Sequence, residues 1–217
     1  MNLVLNWGPD MAELEGLLKQ LAEQEAAGDT EGMWKTRESI FGDHPDTEEA
    51  VEAQYKAGLH CLFHVRDLEK AVEHFQAAAK KKHPYWSLAS RTSLGICLFH
   101  QGRGQKALFE LRRVGFTDNP NDHSVTALAF METIHGVDGE MDELGRVRTE
   151  RIKQLRVLID QSRSTKDQSF GQHLFSLATA LVDEGDLEGA QVCLNEAKQL
   201  GPDVLGADLY SAVVNGF

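Results

Sequence analysis

Cys61-Leu62-Phe63-His64 is repeated letter for letter as Cys97-Leu98-Phe99-His100, 36 positions further on. Each copy closes an apolar-patterned stretch and is followed by a polar break, Val65-Arg66-Asp67 in the first case and Gln101-Gly102-Arg103 in the second. Beyond each break apolar residues return at three- and four-residue spacing: Ala71, Phe75 and Ala78, then Ala107, Leu111 and Val114. That spacing lines one face of a helix. A helix, a tight turn, a second helix and a proline (Pro84, Pro120) are thus written twice in succession. Self-similarity near 34 residues marks a helical repeat array.

The same pattern continues in both directions. Met11, Leu14, Leu17, Leu18 and Leu21 share one helical face; Gly28 ends that helix and Asp29 stands where an N-cap belongs. The next helix carries Met33, Trp34 and Ile40 and stops near Gly42, ahead of Pro45. A helix from about Asp46 to Val65 follows, with Asp67 capping its successor. Near the end, Leu174, Leu177, Ala178 and Leu181 precede Gly185-Asp186, then Ala190, Leu194, Ala197 and Gly201-Pro202. Leu205, Leu209, Tyr210 and Val213 predict a capping helix over 205–214 that covers the last exposed face. Strand signals are scarce.

These positions make the chain resemble the tetratricopeptide repeat (TPR) family. Residues 171–204 match best, through Leu174, Leu177-Ala178, Leu181, Gly185, Ala190, Leu194, Ala197 and Pro202. Residues 52–85 match through Tyr55, Leu62, Ala71, Phe75 and Ala78, and residues 88–121 through Leu94-Gly95, Leu98, Gly102, Ala107 and Leu111. Residues 14–47 match more loosely. The stretch 122–165 departs most, with Leu144 where a small residue is usual and a second helix running to about Gln161. The resemblance implies an all-α fold: one domain over 1–217, a right-handed superhelical array of about five TPR-like hairpins with a C-terminal capping helix. Physically, one hairpin cannot bury its apolar face alone, so neighbours stack. Ala71, Ala107 and Ala190 are small where two helices cross closely.

Composition narrows the function. Hydrophobic residues at 41% support a folded chain, and no run of about 18 apolar residues spans a membrane. The opening Met1-Asn2-Leu3-Val4-Leu5-Asn6-Trp7 has no basic start and too short an apolar run for an export signal. Cys61, Cys97 and Cys193 therefore read as buried thiols in a reducing cytoplasm. The net charge of −12 is uneven: −9 over 1–50, +3 over 51–182 and −6 over 183–217. Acidic ends repel a nucleic-acid backbone, so a protein or peptide partner is expected, with no nucleic acid and no membrane insertion.

Nine histidines raise the question of metal chemistry. His60 and His64 lie four apart on one helix, with His100 in the next repeat, but no carboxylate or thiol spacing completes a four-ligand site. A polar groove lining is the expected role, with no metal and no cofactor. No Gly-x-Ser-x-Gly, phosphate loop or His-Glu-x-x-His is present, so no catalytic residue is assigned. Arg146, Arg148, Arg151, Lys153 and Arg156 read as an exposed face with intrahelical ion pairs, or as a docking stripe for an acidic partner.

The resemblance implies that inner helices form a concave binding surface. Carried over residue by residue, this surface comprises Lys56, His60, Phe63 and His64, then Thr92, Ile96, Phe99 and His100, then Phe175, Thr179 and Asp183. Phe63 and Phe99 are either apolar anchors or packing between hairpins; His64 and His100 are expected to be exposed. A chaperone-type carboxylate clamp is not expected, because His60 and Ile96 stand where Asn is required. The expected function is a cytoplasmic, non-catalytic interaction module, an adaptor, scaffold or assembly factor that binds a protein segment in the groove. The alternative is a self-associating structural subunit, a possible homo-oligomer.

Overall fold

A computed structural model describes residues 9–215, and the apolar opening Met1–Trp7 lies outside the described residues. Those residues form twelve α-helices and no strand. Five antiparallel hairpins run in chain order: α1 (Pro9–Ala27) with α2 (Thr30–Asp43), α3 (Glu48–His60) with α4 (Leu68–Ala79), α5 (Trp86–His100) with α6 (Gly104–Gly115), α7 (Asp122–Asp138) with α8 (Met141–Ser162), and α9 (Gln168–Glu184) with α10 (Leu187–Lys198). The short α11 (Pro202–Leu205) packs on α9, and α12 (Ala207–Asn215) packs on α10. The chain divides into two compact units, one ending at Glu110 and one beginning at Leu111.

The turns inside the hairpins share one chemistry. A residue with positive φ ends the first helix, and Asp29, Asp67 and Asp186 cap the second by accepting backbone N–H groups of Gly32, Lys70 and Gly189. Gly28, Gly102, Gly139 and Gly185 hold the left-handed position at φ 69°, 71°, 73° and 90°. In the second hairpin Arg66 holds it at φ 61°. A left-handed non-glycine costs about 1–2 kcal/mol, partly offset by the entropy that glycine loses on folding. Arg66→Gly is therefore expected to raise stability by up to about 1 kcal/mol, read as a higher denaturant midpoint at unchanged slope.

Within the first unit, Leu14, Ile40, Ala50 and Ala53 form a buried cluster against which Leu17, Leu18, Leu21 and Phe41 pack. Further along, Phe75 and Ala71 are fully buried, and Arg91 on α5 pairs with Glu110 on α6 at 2.7 Å. The second unit has one continuous core from Ile152 and Leu155 through Phe170, Leu174 and Ala178 to Leu194, Leu205 and Val213. Leu205 and Val213 are the positions by which the C-terminal helices cover this core.

One helix departs from its expected boundaries. The helix read as Asp46–Val65 starts at Glu48 behind a Thr47 cap and changes winding at Cys61. Cys61–Val65 is a single π-helical turn, closed by Arg66 N–H and Asp67 N–H on the Cys61 carbonyl. The cause is visible in spacing. Twelve positions separate Gly95 from Ala107 and Ala178 from Ala190, but thirteen separate Gly58 from Ala71. The extra residue is absorbed where the helix widens, the usual form of a π-bulge.

Candidate functional site

The π-turn leaves Phe63, His64 and Val65 exposed. Phe63 is 68% exposed and Val65 53%, whereas Leu98, in the second copy of the repeated tetrapeptide, is buried and Phe99 half-buried. Identical letters therefore occupy different environments, because the inserted residue re-aims the first copy.

A ladder of rings runs from α2 through the end of α3 into the π-turn. Trp34 on α2 stacks on His60 at 5.0 Å between centroids and 24° between planes. His60 stacks on His64 at 5.1 Å and 25°. His74 on α4 meets the edges of both Trp34 and Phe41 at 5.7 Å, and its Nδ1 lies 2.7 Å from the Gln54 amide. Offset and edge-on ring pairs of this kind add about 0.5–1.5 kcal/mol beyond their buried area. Lys56 pairs with Glu52 at 3.9 Å and sits 5.8 Å over the Trp86 ring, which packs on Tyr55 and Tyr85.

Of the other positions carried over from the sequence, Thr92 is buried with its hydroxyl donating to the Leu88 carbonyl, so it turns away from any surface. Ile96 and Phe99 are half-buried, and Phe99 lies 5.7 Å from the exposed His100. In the second unit, Phe175 packs against the core and Thr179 donates to the Ser176 carbonyl. Asp183 is exposed, and its carbonyl accepts from Arg148 at 2.8 Å. The ladder thus joins His60 and His64 to Trp34 and His74, which sequence reasoning left out, and Phe63 precedes His64 on the same turn. The available signal was the aromatic Trp34 on the helix preceding α3.

The basic face on α8 needs correction. Arg148 and Arg151 turn inward to the buried Glu132 of α7, at 3.4 Å and 3.0 Å. Arg148 also pairs with Glu184, and Arg151 reaches the Ser176 carbonyl. Arg146 lies over the Phe116 ring at 5.6 Å, and Lys153 keeps an intrahelical pair with Glu150. Two of the five cations are a structural clasp between helices because Glu132 offers a buried counter-charge.

Burial holds three histidines below the ordinary value of 6.5: His60, His74 and His123. His64 and Arg37 add to the effect at His60; Lys70 adds at His74, where Glu73 and Glu38 oppose it; Asp122 opposes it at His123. A histidine with a depressed folded pKa binds fewer protons in the folded state, so its stabilisation is complete above the unfolded value. It erodes as the pH falls below 6.5 and stops changing once the folded value is passed. A melting temperature that falls between about pH 7.5 and pH 5.5 is expected, with a shallower fall in His60→Gln/His74→Gln. A flat profile in the wild type would contradict it.

All three cysteines are free and buried. Burial pushes their thiols up, Cys97 to about 11, so each is a packing residue at neutral pH. Among the described residues no three His, Cys, Asp or Glu side chains group to hold a metal ion, and no helix is long and apolar enough to cross a membrane.

No protein-family model and no curated protein sequence matches the chain. Solved structures do. MamA is 15% identical with a TM-score of 0.51, over 86% of this chain and 91% of that one. Nearly identical TPR-like repeats from Podosopora anserina are 14% identical with a TM-score of 0.55, over 90% and 97%. YrrB, described as a TPR protein with an unusual peptide-binding site, is 14% identical with a TM-score of 0.51, over 96% and 99%. At these identities the likeness is one of fold. The chain has a TPR-like fold of consecutive helical hairpins.

Proposed function

We propose that the protein is a non-catalytic protein-binding module, an adaptor or scaffold, whose principal contact surface is the platform formed by Trp34, His60, Phe63 and His64. Lys56, Ile96, Phe99 and His100 extend it, and Phe175, Thr179 and Asp183 are the corresponding positions of the second unit. The observation that carries this reading is the π-turn, which leaves Phe63 68% exposed one residue before His64, where the ring ladder ends. An exposed aromatic on a preorganised base is the usual chemistry of an interface anchor, and imidazoles beside it supply orienting hydrogen bonds. The fold shared with YrrB, described by its peptide-binding site, supports the same reading. Buried thiols in all three positions suit a reducing cytoplasm.

Affinity capture with the full chain, compared between wild type and Phe63→Asp/His64→Asp, tests the reading. Both side chains are exposed, so the variant is expected to fold, losing about 1 kcal/mol at most with the His60–His64 stack. Proteins captured by the wild type are expected to bind the variant about tenfold or more weakly. Equal capture by both chains would refute the platform as the contact surface.

A further inference from the structure

We infer that the turn end of the second unit is a docking face for a cationic segment of another protein, one that carries large apolar side chains among its lysines and arginines. The face belongs wholly to the second unit and does not depend on the platform around Phe63.

Two turns build it. The α7–α8 turn exposes Val137 by 72% and Met141 by 66%, with the exposed Asp138, Glu140 and Asp142 around them. The α9–α10 turn exposes Leu187 by 66%, with the exposed Asp183, Glu184, Asp186 and Glu188 around it. Arg148 on α8 ties the two turns together: its guanidinium donates to the Asp183 carbonyl at 2.8 Å and lies 4.0 Å from the Glu184 carboxylate. Large apolar side chains left in water among charges mark a contact surface. Residues 136–142 and 182–189 hold seven carboxylates and no lysine or arginine. Cations on α6 and α8 are already engaged, Arg148 with Glu132 and Glu184, Arg112 and Arg146 with Glu143 at 3.6 Å and 3.7 Å.

Folding does not account for all of this charge. Asp186 caps α10, and Asp142 and Glu188 lie in first helical turns, where the helix dipole favours an anion. Asp138, by contrast, is the last residue of α7, and Asp183 and Glu184 are the last two of α9, where the dipole opposes an anion. The carboxylates of Asp138 and Asp183 have no ion-pair or hydrogen-bond partner among the described residues. Charge kept where it costs stability points to a role outside the fold.

The chemistry selects the occupant. A phosphate backbone or an anionic lipid surface is repelled. Among the described residues no three acidic side chains converge to hold a metal ion. On the first unit Arg66, Lys70, Arg103 and Lys106 stand among Asp67, Glu69 and Glu73, so a second copy offers no matching cationic rim. A segment with spaced cations meets the carboxylates while its apolar side chains cover Val137, Met141 and Leu187. The charges steer the encounter and the apolar anchors supply the affinity.

Fluorescence anisotropy of the full chain with a labelled amphipathic peptide of leucine and lysine, and with its leucine–glutamate counterpart, tests this. The lysine peptide is expected to bind, more weakly as salt is raised, and the glutamate peptide not to bind. Met141→Ser/Leu187→Ser, which leaves the charge unchanged, and Asp138→Asn/Asp183→Asn are each expected to weaken binding about tenfold. Glu13→Gln/Glu15→Gln removes two exposed carboxylates from α1 and is expected to change the affinity by less than about twofold. Asp138→Asn/Asp183→Asn is also expected to melt no lower than the wild type, because it relieves two unfavourable dipole contacts. Equal weakening by the two carboxylate pairs would show that net acidity alone holds the peptide. Unchanged binding in Met141→Ser/Leu187→Ser would show that the apolar side chains take no part. Either result overturns the inference, as does a wild type that binds neither peptide or a lower melting temperature in Asp138→Asn/Asp183→Asn. Sedimentation velocity showing self-association that the same variants abolish would put a second copy on the face and overturn it too.

Discussion

Glu132→Ala is expected to destabilise the protein by about 3–5 kcal/mol, the usual cost of stripping one partner from a buried ion pair. For a chain of this size that lowers the melting temperature by roughly 10 °C or more. Glu132 is 7% exposed and lies between two guanidinium groups whose side chains are 16% and 12% exposed. Each arginine also binds a backbone carbonyl at the α9 side, Asp183 and Ser176. Removing the carboxylate leaves two cations facing each other in a poorly hydrated gap. The cost is one of imbalance, so removing all three charges should recover most of it: Glu132→Ala/Arg148→Met/Arg151→Met is expected to lie well above the single variant. Urea unfolding of the three proteins measures this. A single-variant loss below about 1 kcal/mol would show that water reaches the clasp.

Gly58→Ala carries the second largest effect, a net loss of about 1–2 kcal/mol. An alanine in mid-helix ordinarily gains about 0.5–1 kcal/mol over glycine. Here the added Cβ would lie 2.5 Å from one carbon of the Phe75 ring and 2.7 Å from the next. Phe75 is fully buried and its ring cannot bend away, so the helices must separate, at about 1–3 kcal/mol. Gly58→Ala/Phe75→Leu tests the cause: the second change costs stability in the wild type but should cost less in the alanine background. Additive losses would place the strain elsewhere.

Gly58 also shows how much the sequence discloses. The crossing of α3 and α4 was legible from Ala71, Phe75 and Ala78 at helical spacing, and so were the Gly-Asp turns at 28–29 and 185–186. The fourth hairpin was harder because it inverts the size rule. Seven residues before the turn glycine, Gly95 and Ala178 are small, but Glu132 stands there; five residues after it, Ala107 and Ala190 give way to Leu144. The large side chain is accommodated because Gly136 faces it, where a Cβ would come within 3.3 Å of Leu144. Such compensation depends on which residues meet across two helices, and spacing along one helix does not contain it.

The candidate site was legible in its members more than in its arrangement. His60, Phe63 and His64 were singled out in the sequence as part of a regular helix end equivalent to Ile96, Phe99 and His100. A count from Gly58 to Ala71 carries the one-residue surplus, but not whether that residue lengthens the turn or, as here, widens the helix ahead of the left-handed Arg66. Helical spacing alone also does not separate an exposed position from a buried one such as Thr92, whose hydroxyl bonds back to the Leu88 carbonyl.

Amide hydrogen exchange of the full chain, free and with a captured protein bound, tests the binding platform most directly. Slower exchange across residues 59–67 and at the Trp34 segment of α2 on binding is the predicted result. Unchanged exchange at both, with protection confined to helix faces remote from Phe63, would contradict it.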